Sequence, residues 1–411
     1  MTPRKLIDDD KLMVPEHFVA GQPHDEWRTL RRECPVYWSE PTGFRPYWSV
    51  TKHADIIEVE SQPDVFINAP RFVITPAAFE DYMAEHYGHI NDLLKIVAQM
   101  DAPEHTQHRE LLQPWFTPKA IARRQQKIED ICRFYFDKLA ERGVEGEIDF
   151  AQDMAFWYPL RVACGLLGSP EEDDEKLLKI AEQVLSFSAP EPGQRTGFEL
   201  CLDYCNALAE EKRRNPADDF STYLVQSKID GQPVGPKELL AHFLTVVTAG
   251  HDTTSSSITF GVKALLENPE QLQILRDDPT KIHSATEEIL RWVTPTVQFS
   301  RTATRDYVLR GQPINKGDAL CLCFSSANRD EDVFADPDTF KVLRTPNNHL
   351  AFGSGSHSCL GSQLARLEIR CFLKMFLERI EHMELTGPTP WFPANMVTRI
   401  EHMPVRYRLR H

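Results

Sequence analysis

Phe352-Gly-Ser-Gly-Ser-His357-Ser-Cys359-Leu-Gly361 is the stretch on which the reading of this chain turns. It runs straight into a helical pattern, with Leu364, Leu367, Ile369, Phe372 and Phe376 at core spacing and Arg366, Arg370 and Lys374 interleaved. A cysteine just before a helix N-terminus meets free backbone N–H groups and the positive end of the helix dipole, and both favour thiolate over thiol. Gly353 and Gly355 let the backbone fold tightly round the sulfur, and Gly361 leaves room for something flat. An isolated cysteine is ordinarily a small buried hydrophobe. The glycines and His357 around this one set it apart.

One thiolate on a rigid loop, with a cation donor two residues earlier, suits a haem iron as proximal ligand. Phe-Gly-x-Gly-x-His-x-Cys-x-Gly also matches, position for position, the haem-binding signature of the cytochrome P-450 family. The sequence therefore resembles a haem-thiolate monooxygenase. That resemblance implies haem b (iron protoporphyrin IX) bound through the Cys359 thiolate, with His357 as a further cofactor-binding donor.

Composition agrees. The 411 residues are 41% hydrophobic, enough for a substantial core. A formal net charge of -15 argues against a nucleic acid or an anionic membrane as main partner. Nine cysteines without a CxxC pair suggest neither a disulfide framework nor a zinc ribbon. Cys201 and Cys205, one helical turn apart, and Cys321 and Cys323, on one face of a predicted strand, read as packing residues in a reducing cytosol. No apolar run of about 18 residues occurs, so no transmembrane helix is predicted, and the N-terminus shows no signal or anchor. A soluble, cytoplasmic protein is expected.

Val36–Trp38 and Tyr47–Val50 are β-rich runs joined through Pro41-Thr42-Gly43, a hairpin signal. Residues 64 to 100 give no clear element; the resemblance implies a variable loop over the substrate pocket there. Pro103 suits a helix start, which puts His105 and Arg109 on one face. The family carries a His-x-x-x-Arg at this place that binds the haem propionates, and propionates call for charge-assisted donors. His108 is off that register and is expected at the surface. Residues 121–143 and 150–167 are helical patterns. The breaker cluster from Ser188 to Gly197 fits a flexible lid between helices.

A long helix is predicted from Pro236 to about Glu267, stopped by Asn268-Pro269. Phe243 to Ala249 is apolar on nearly every face and therefore buried. Gly250-His251-Asp252-Thr253-Thr254-Ser255-Ser256-Ser257 follows, a polar notch of the kind that tends to mark function. Ser255 to Ser257 are expected to bond back to the preceding turn; Asp252 and Thr253 are not. Ala-Gly-x-Asp-Thr-Thr matches the family's oxygen-activation motif, which implies catalytic roles: Thr253 as the hydroxyl facing dioxygen, Asp252 as the acid connecting it to solvent.

Glu288 and Arg291 match the family's Glu-x-x-Arg, with Arg344 the candidate third member of a structural pair. Arg301 falls where the family places another propionate-binding arginine. Tyr307–Leu309, Ala319–Cys323 and Val405–Leu409 read as strands. The resemblance covers essentially the whole chain and is nearest to bacterial members that hydroxylate terpineol-like monoterpenoids.

The fold expected is mainly α, a single cytochrome P-450 domain over 1–411 with a small β region. The activity expected is hydroxylation of a compact hydrophobe, a monoterpenoid or alkyl-aromatic, with dioxygen and two electrons. With no flavin or iron–sulfur motif in the chain, a ferredoxin and its reductase are the expected donors. Docking is expected near Arg109, Arg366, Arg370 and Lys374, on a monomer. Thr245, Thr248, Ala249, Val297 and Phe299 are expected to line the substrate pocket. The competing readings are a steroid or fatty-acid hydroxylase, a peroxide-driven peroxygenase, and a non-catalytic haem-thiolate binding protein. The Asp252-Thr253 pair speaks against the last two.

Overall fold

The central helix spans Pro236–Glu267, 32 residues, which at 1.5 Å per residue is about 48 Å. Proline sits at its first turn, where a missing N–H costs nothing. Asn268 leaves the helical region (φ −127, ψ 71) and Pro269 opens the next helix. Trp157–Leu167, Gly197–Arg214, Ile282–Val293 and Ser362–Arg379 pack against it, and Glu104–Phe116 meets it through His108 and His242. The computed structural model describes residues 5–87, 95–185 and 195–410.

The helix is buried along most of its length, so its hydroxyls need partners close at hand. Thr245, Thr248, Thr253, Ser257 and Thr259 each donate to the carbonyl four residues back, at 2.6 to 2.9 Å. Thr253 thus makes the local bond expected only of the serines, while Ser256 Oγ has no partner among the described residues. Gly261 lets the Ile282–Val293 helix come close: a Cβ there would lie 2.8 Å from Ile289 Cγ2.

One cluster of buried apolar side chains runs from Val97 to Leu409 and takes in these helices. Phe372 of the Ser362–Arg379 helix is 1% exposed and meets the rings of Phe136, Phe150 and Tyr158 at centroid distances of 5.3 to 6.1 Å. Truncating such a ring to alanine costs about 3–5 kcal/mol, so the helix after the Cys359 loop is firmly seated.

A five-stranded sheet lies to one side, in the order Val36–Ser39, Tyr47–Val50, Ala319–Cys323, Gln298–Ala303, Phe66–Ile67. The first two form the predicted hairpin, Val36 opposite Val50. Arg301 pairs in register with Leu320. A three-stranded sheet joins Ile380–Leu385, Pro404–Leu409 and Glu145–Asp149. Cys321 and Cys323 pack in a small apolar cluster with Leu12, Trp27 and Val297, and Cys201 and Cys205 are buried with sulfurs 3.8 Å apart. Of the stretch 64 to 100, Ala77–Tyr87 is helical. Residues 188–194 of the expected lid lie outside the described residues. No helix among the described residues is long and apolar enough to cross a membrane.

Glu288, Arg291 and Arg344 form the expected triad. The Glu288 carboxylate accepts from Arg291 Nε and Nη2 at 2.8 Å each and from Arg344 Nε at 3.0 Å. Among the described residues, the other guanidinium hydrogen bonds of the two arginines go to Glu288 again and to backbone carbonyls, among them Asn328, Pro337 and Ala335. A buried ion pair is tolerable when it is satisfied in this way.

Candidate active site

The Cys359 loop is built by two left-handed glycines, Gly353 (φ +63) and Gly355 (φ +62). A Cβ at Gly355 would come within 2.4 Å of the Glu60 carbonyl oxygen, so only glycine fits. Cys359 N–H donates to the Phe352 carbonyl at 2.8 Å. The sulfur is open to an internal cavity and enclosed on its other sides. Burial pushes the thiol up; the Gly361 N–H, Arg109 and Arg366 pull it down, and burial wins. The Gly361 N–H acts in the direction expected of the loop and helix end, and burial opposes it. A bound cation would supply the difference, as it does for coordinating thiols generally.

The cavity lies between this loop and the central helix. Thr245, Ala249 and Thr253 of the helix line it, with Phe299 from the sheet. Thr248 and Val297 do not. At 100° per residue Thr248 lies off the face carrying Thr245, Ala249 and Thr253, and Val297 is fully buried, bonded to the Met396 carbonyl at 2.8 Å. Thr296, next to it, reaches the cavity instead. The lining is also more aromatic than expected, since Phe72, Phe116 and Phe220 contribute.

Four nitrogen donors gather at the same cavity: His105, Arg109, Arg301 and His357. The rings of His105 and His357 lie 3.9 Å apart. Burial, then His105, Arg301 and Arg109, hold His357 down at about 3, and burial and Arg109 lower His105. Burial likewise lowers both arginines. Arg109 lines the cavity, half-buried, and has no hydrogen-bond or ion-pair partner among the described residues. Such a cluster of mutually opposing donors calls for anions. With a sulfur ligand beside it and apolar walls around it, this donor set fits haem and its two propionates.

Sequence reasoning missed Glu60. It is 6% exposed, accepts from Arg301 Nη2 at 3.0 Å and from the Ser354 N–H and hydroxyl at 2.7 Å each, and lines the cavity. It also missed His108, expected at the surface but 4% exposed and bonded to His242.

Asp252 does not line the cavity. It sits one step round the helix from Thr253, 3.2 Å from His251 Nδ1. Burial raises its carboxyl, but the His251 hydrogen bond and the charges of His251 and Arg399 outweigh that and leave it below the usual range. Arg366, expected at a docking surface, is tied to Glu287 at 2.8 and 2.9 Å. A second, more open cleft, lined by Arg161, Tyr204 and Lys212, shares no residue with the cavity. Its cations are partly spent on Asp174 and Asp219.

The family model for Cytochrome P450 matches residues 198–402. Cytochrome P450-terp of Pseudomonas sp is 35% identical over 97% of this chain and 99% of its own length. Steroid C26-monooxygenase of Mycolicibacterium smegmatis is 34% identical over 94% of this chain and 90% of its own. The crystal structure of CYP108D1 from Novosphingobium aromaticivorans matches with a TM-score of 0.90 at 32% identity, covering 99% of each chain.

Proposed function

Since the chain belongs to the cytochrome P450 family and is a monooxygenase using cysteine-ligated haem, we propose that it hydroxylates a compact hydrophobe, a monoterpenoid or alkyl-aromatic. The observation that carries this is one cavity walled by Cys359 on one side, Thr253 on the other, and apolar and aromatic side chains between. The whole-length likeness to Cytochrome P450-terp supports it.

When bound, haem supplies the reductive activation of dioxygen and the insertion of one oxygen atom into a C–H bond. Cys359 would hold the iron; His105, Arg109, Arg301 and His357 would hold the propionates. The Thr253 hydroxyl, its proton given to Ala249, offers its lone pairs to the cavity. Asp252, held ionised by His251 and Arg399, stands behind it as the carboxylate that takes protons up from the solvent side and passes them inward. Phe116, Phe220 and Phe299 exclude water. Electrons come singly from a ferredoxin and its reductase, docking near Arg370 and Lys374, with the 1–411 unit acting as a cytoplasmic monomer. Charge reversal at Lys374 is expected to slow reduction at low salt; an unchanged rate removes the docking face.

A second reading, a steroid substrate, is favoured by the name of the relative at 34% identity. Optical titration of the ferric protein separates the two. A high-spin shift with small monoterpenoids or alkylbenzenes supports the first; a shift with steroids alone replaces it.

A further inference from the structure

His108 and His242 form a buried pair that none of the roles above uses. His108 stands on the Glu104–Phe116 helix, His242 on the central helix, and they are 4% and 1% exposed. His108 Nδ1 and His242 Nε2 are 3.1 Å apart, with ring centroids at 5.1 Å. His242 lines the cavity, and its Nδ1 is buried without a hydrogen-bond partner among the described residues. Burial holds His242 down at about 3 and lowers His108 as well, so both rings are neutral near pH 7.

Two neutral imidazoles sharing one hydrogen bond fix each other's tautomers. If His108 donates, His242 carries its proton on Nδ1 and offers a donor. If His242 donates through Nε2, its Nδ1 is a bare acceptor. A hydroxyl completes either arrangement, because it both donates and accepts. Thr245, three residues on and also lining the cavity, gives its own proton to the Ala241 carbonyl and keeps lone pairs free. Leu112 and Phe116, four and eight residues beyond His108, keep the surroundings apolar, where an unmade hydrogen bond is costly.

We propose that His242, held in one tautomer by His108, is a specificity-determining residue that hydrogen-bonds a substrate hydroxyl, so that this site takes compact alcohols in preference to bare hydrocarbons. This rests on the compact-hydrophobe reading above and narrows it.

The test is calorimetric binding to the haem-loaded protein with ligand pairs that differ by a methyl or a hydroxyl at one position. Suitable pairs are tert-butylbenzene against cumyl alcohol, and p-cymene against p-isopropylphenol. The hydroxyl member of one pair is expected to bind about tenfold tighter. In an apolar cavity without a partner the order reverses, because the hydroxyl loses its water for nothing. His242→Phe is expected to erase the preference while hydrocarbons still bind, His108→Leu to weaken it, and His242→Gln to restore part of it. Equal or reversed affinities in the wild type, or a preference surviving in His242→Phe, overturn the proposal. The wild-type comparison decides by itself should a variant misfold. Binding of none of the four ligands would refute the compact-hydrophobe reading, and this inference with it; binding without preference refutes this inference alone.

Discussion

Glu288→Ala removes the one anion between two buried guanidiniums. The side chains of Glu288 and Arg291 are 0% exposed and that of Arg344 5%. The lost bonds are those from Arg291 Nε and Nη2, from Arg344 Nε, from the Lys341 N–H at 2.8 Å and from Asn347 Nδ2 at 3.3 Å. Breaking a buried pair by deleting one partner costs about 3–5 kcal/mol. Here two cations are stranded, which would argue for more. Both keep several carbonyl acceptors, however, including Asn328 and Pro337 for Arg291 and Ala335 and Thr339 for Arg344. The expected loss is therefore about 4 kcal/mol, a large share of a typical total of about 5–15 kcal/mol. Glu288→Gln keeps the shape and one acceptor but aims an N–H₂ group at a guanidinium. Its loss should approach that of alanine, because charge and not shape holds the site. Urea unfolding of the haem-loaded protein, followed by far-UV circular dichroism, measures both. A loss under about 1 kcal/mol for Glu288→Ala, or a near-neutral Glu288→Gln, would refute the reasoning.

Thr253→Ala is expected to keep consuming reductant while product per electron pair falls at least about tenfold and peroxide rises; oxygen, peroxide and product assays check it. Arg301→Gln strands the Glu60 carboxylate at 6% exposure and should cost about 3–5 kcal/mol in urea unfolding, with Glu60→Gln recovering part of it. Gly261→Ala places a Cβ 2.8 Å from Ile289 Cγ2, so overpacking of about 1–3 kcal/mol competes with about 1 kcal/mol of helix propensity gained; Ile289→Val added to it should relieve the loss. Glu287 is raised by burial but pulled down to about 2 by His349 and Arg366, from an ordinary 4.5. A depressed folded value means its stability contribution is present above 4.5 and lost as pH falls towards 2. Glu287→Gln should flatten that part of the stability-against-pH curve, as thermal melts would show.

Local pattern carried much of this site. The Cys359 loop, the helix from Pro236 and the Glu288–Arg291 spacing are each contained in a short run of residues, so glycine positions, stop signals and helical period reveal them. Long-range partners were not legible. Glu60 meets Arg301 across 241 positions and His108 meets His242 across 134, and no local period records either pairing. His108 read as surface because its helix face was judged from His105 and Arg109. One signal was there: a histidine directly before the apolar run that starts at Phe243 must be buried, and a buried imidazole needs a partner. Thr248 and Val297 were misplaced for a related reason, since proximity in sequence to the cavity face does not say which way a side chain turns.

The most direct test of the central claim is the carbon monoxide spectrum of the reduced protein, taken for the wild type and for Cys359→Ser. Thiolate-held haem predicts a red-shifted Soret band in the wild type, and its loss in Cys359→Ser while the thermal melt stays close to wild type. An unshifted band in the wild type, or a shifted band surviving in Cys359→Ser, would contradict the assignment of Cys359 and the reading built on it.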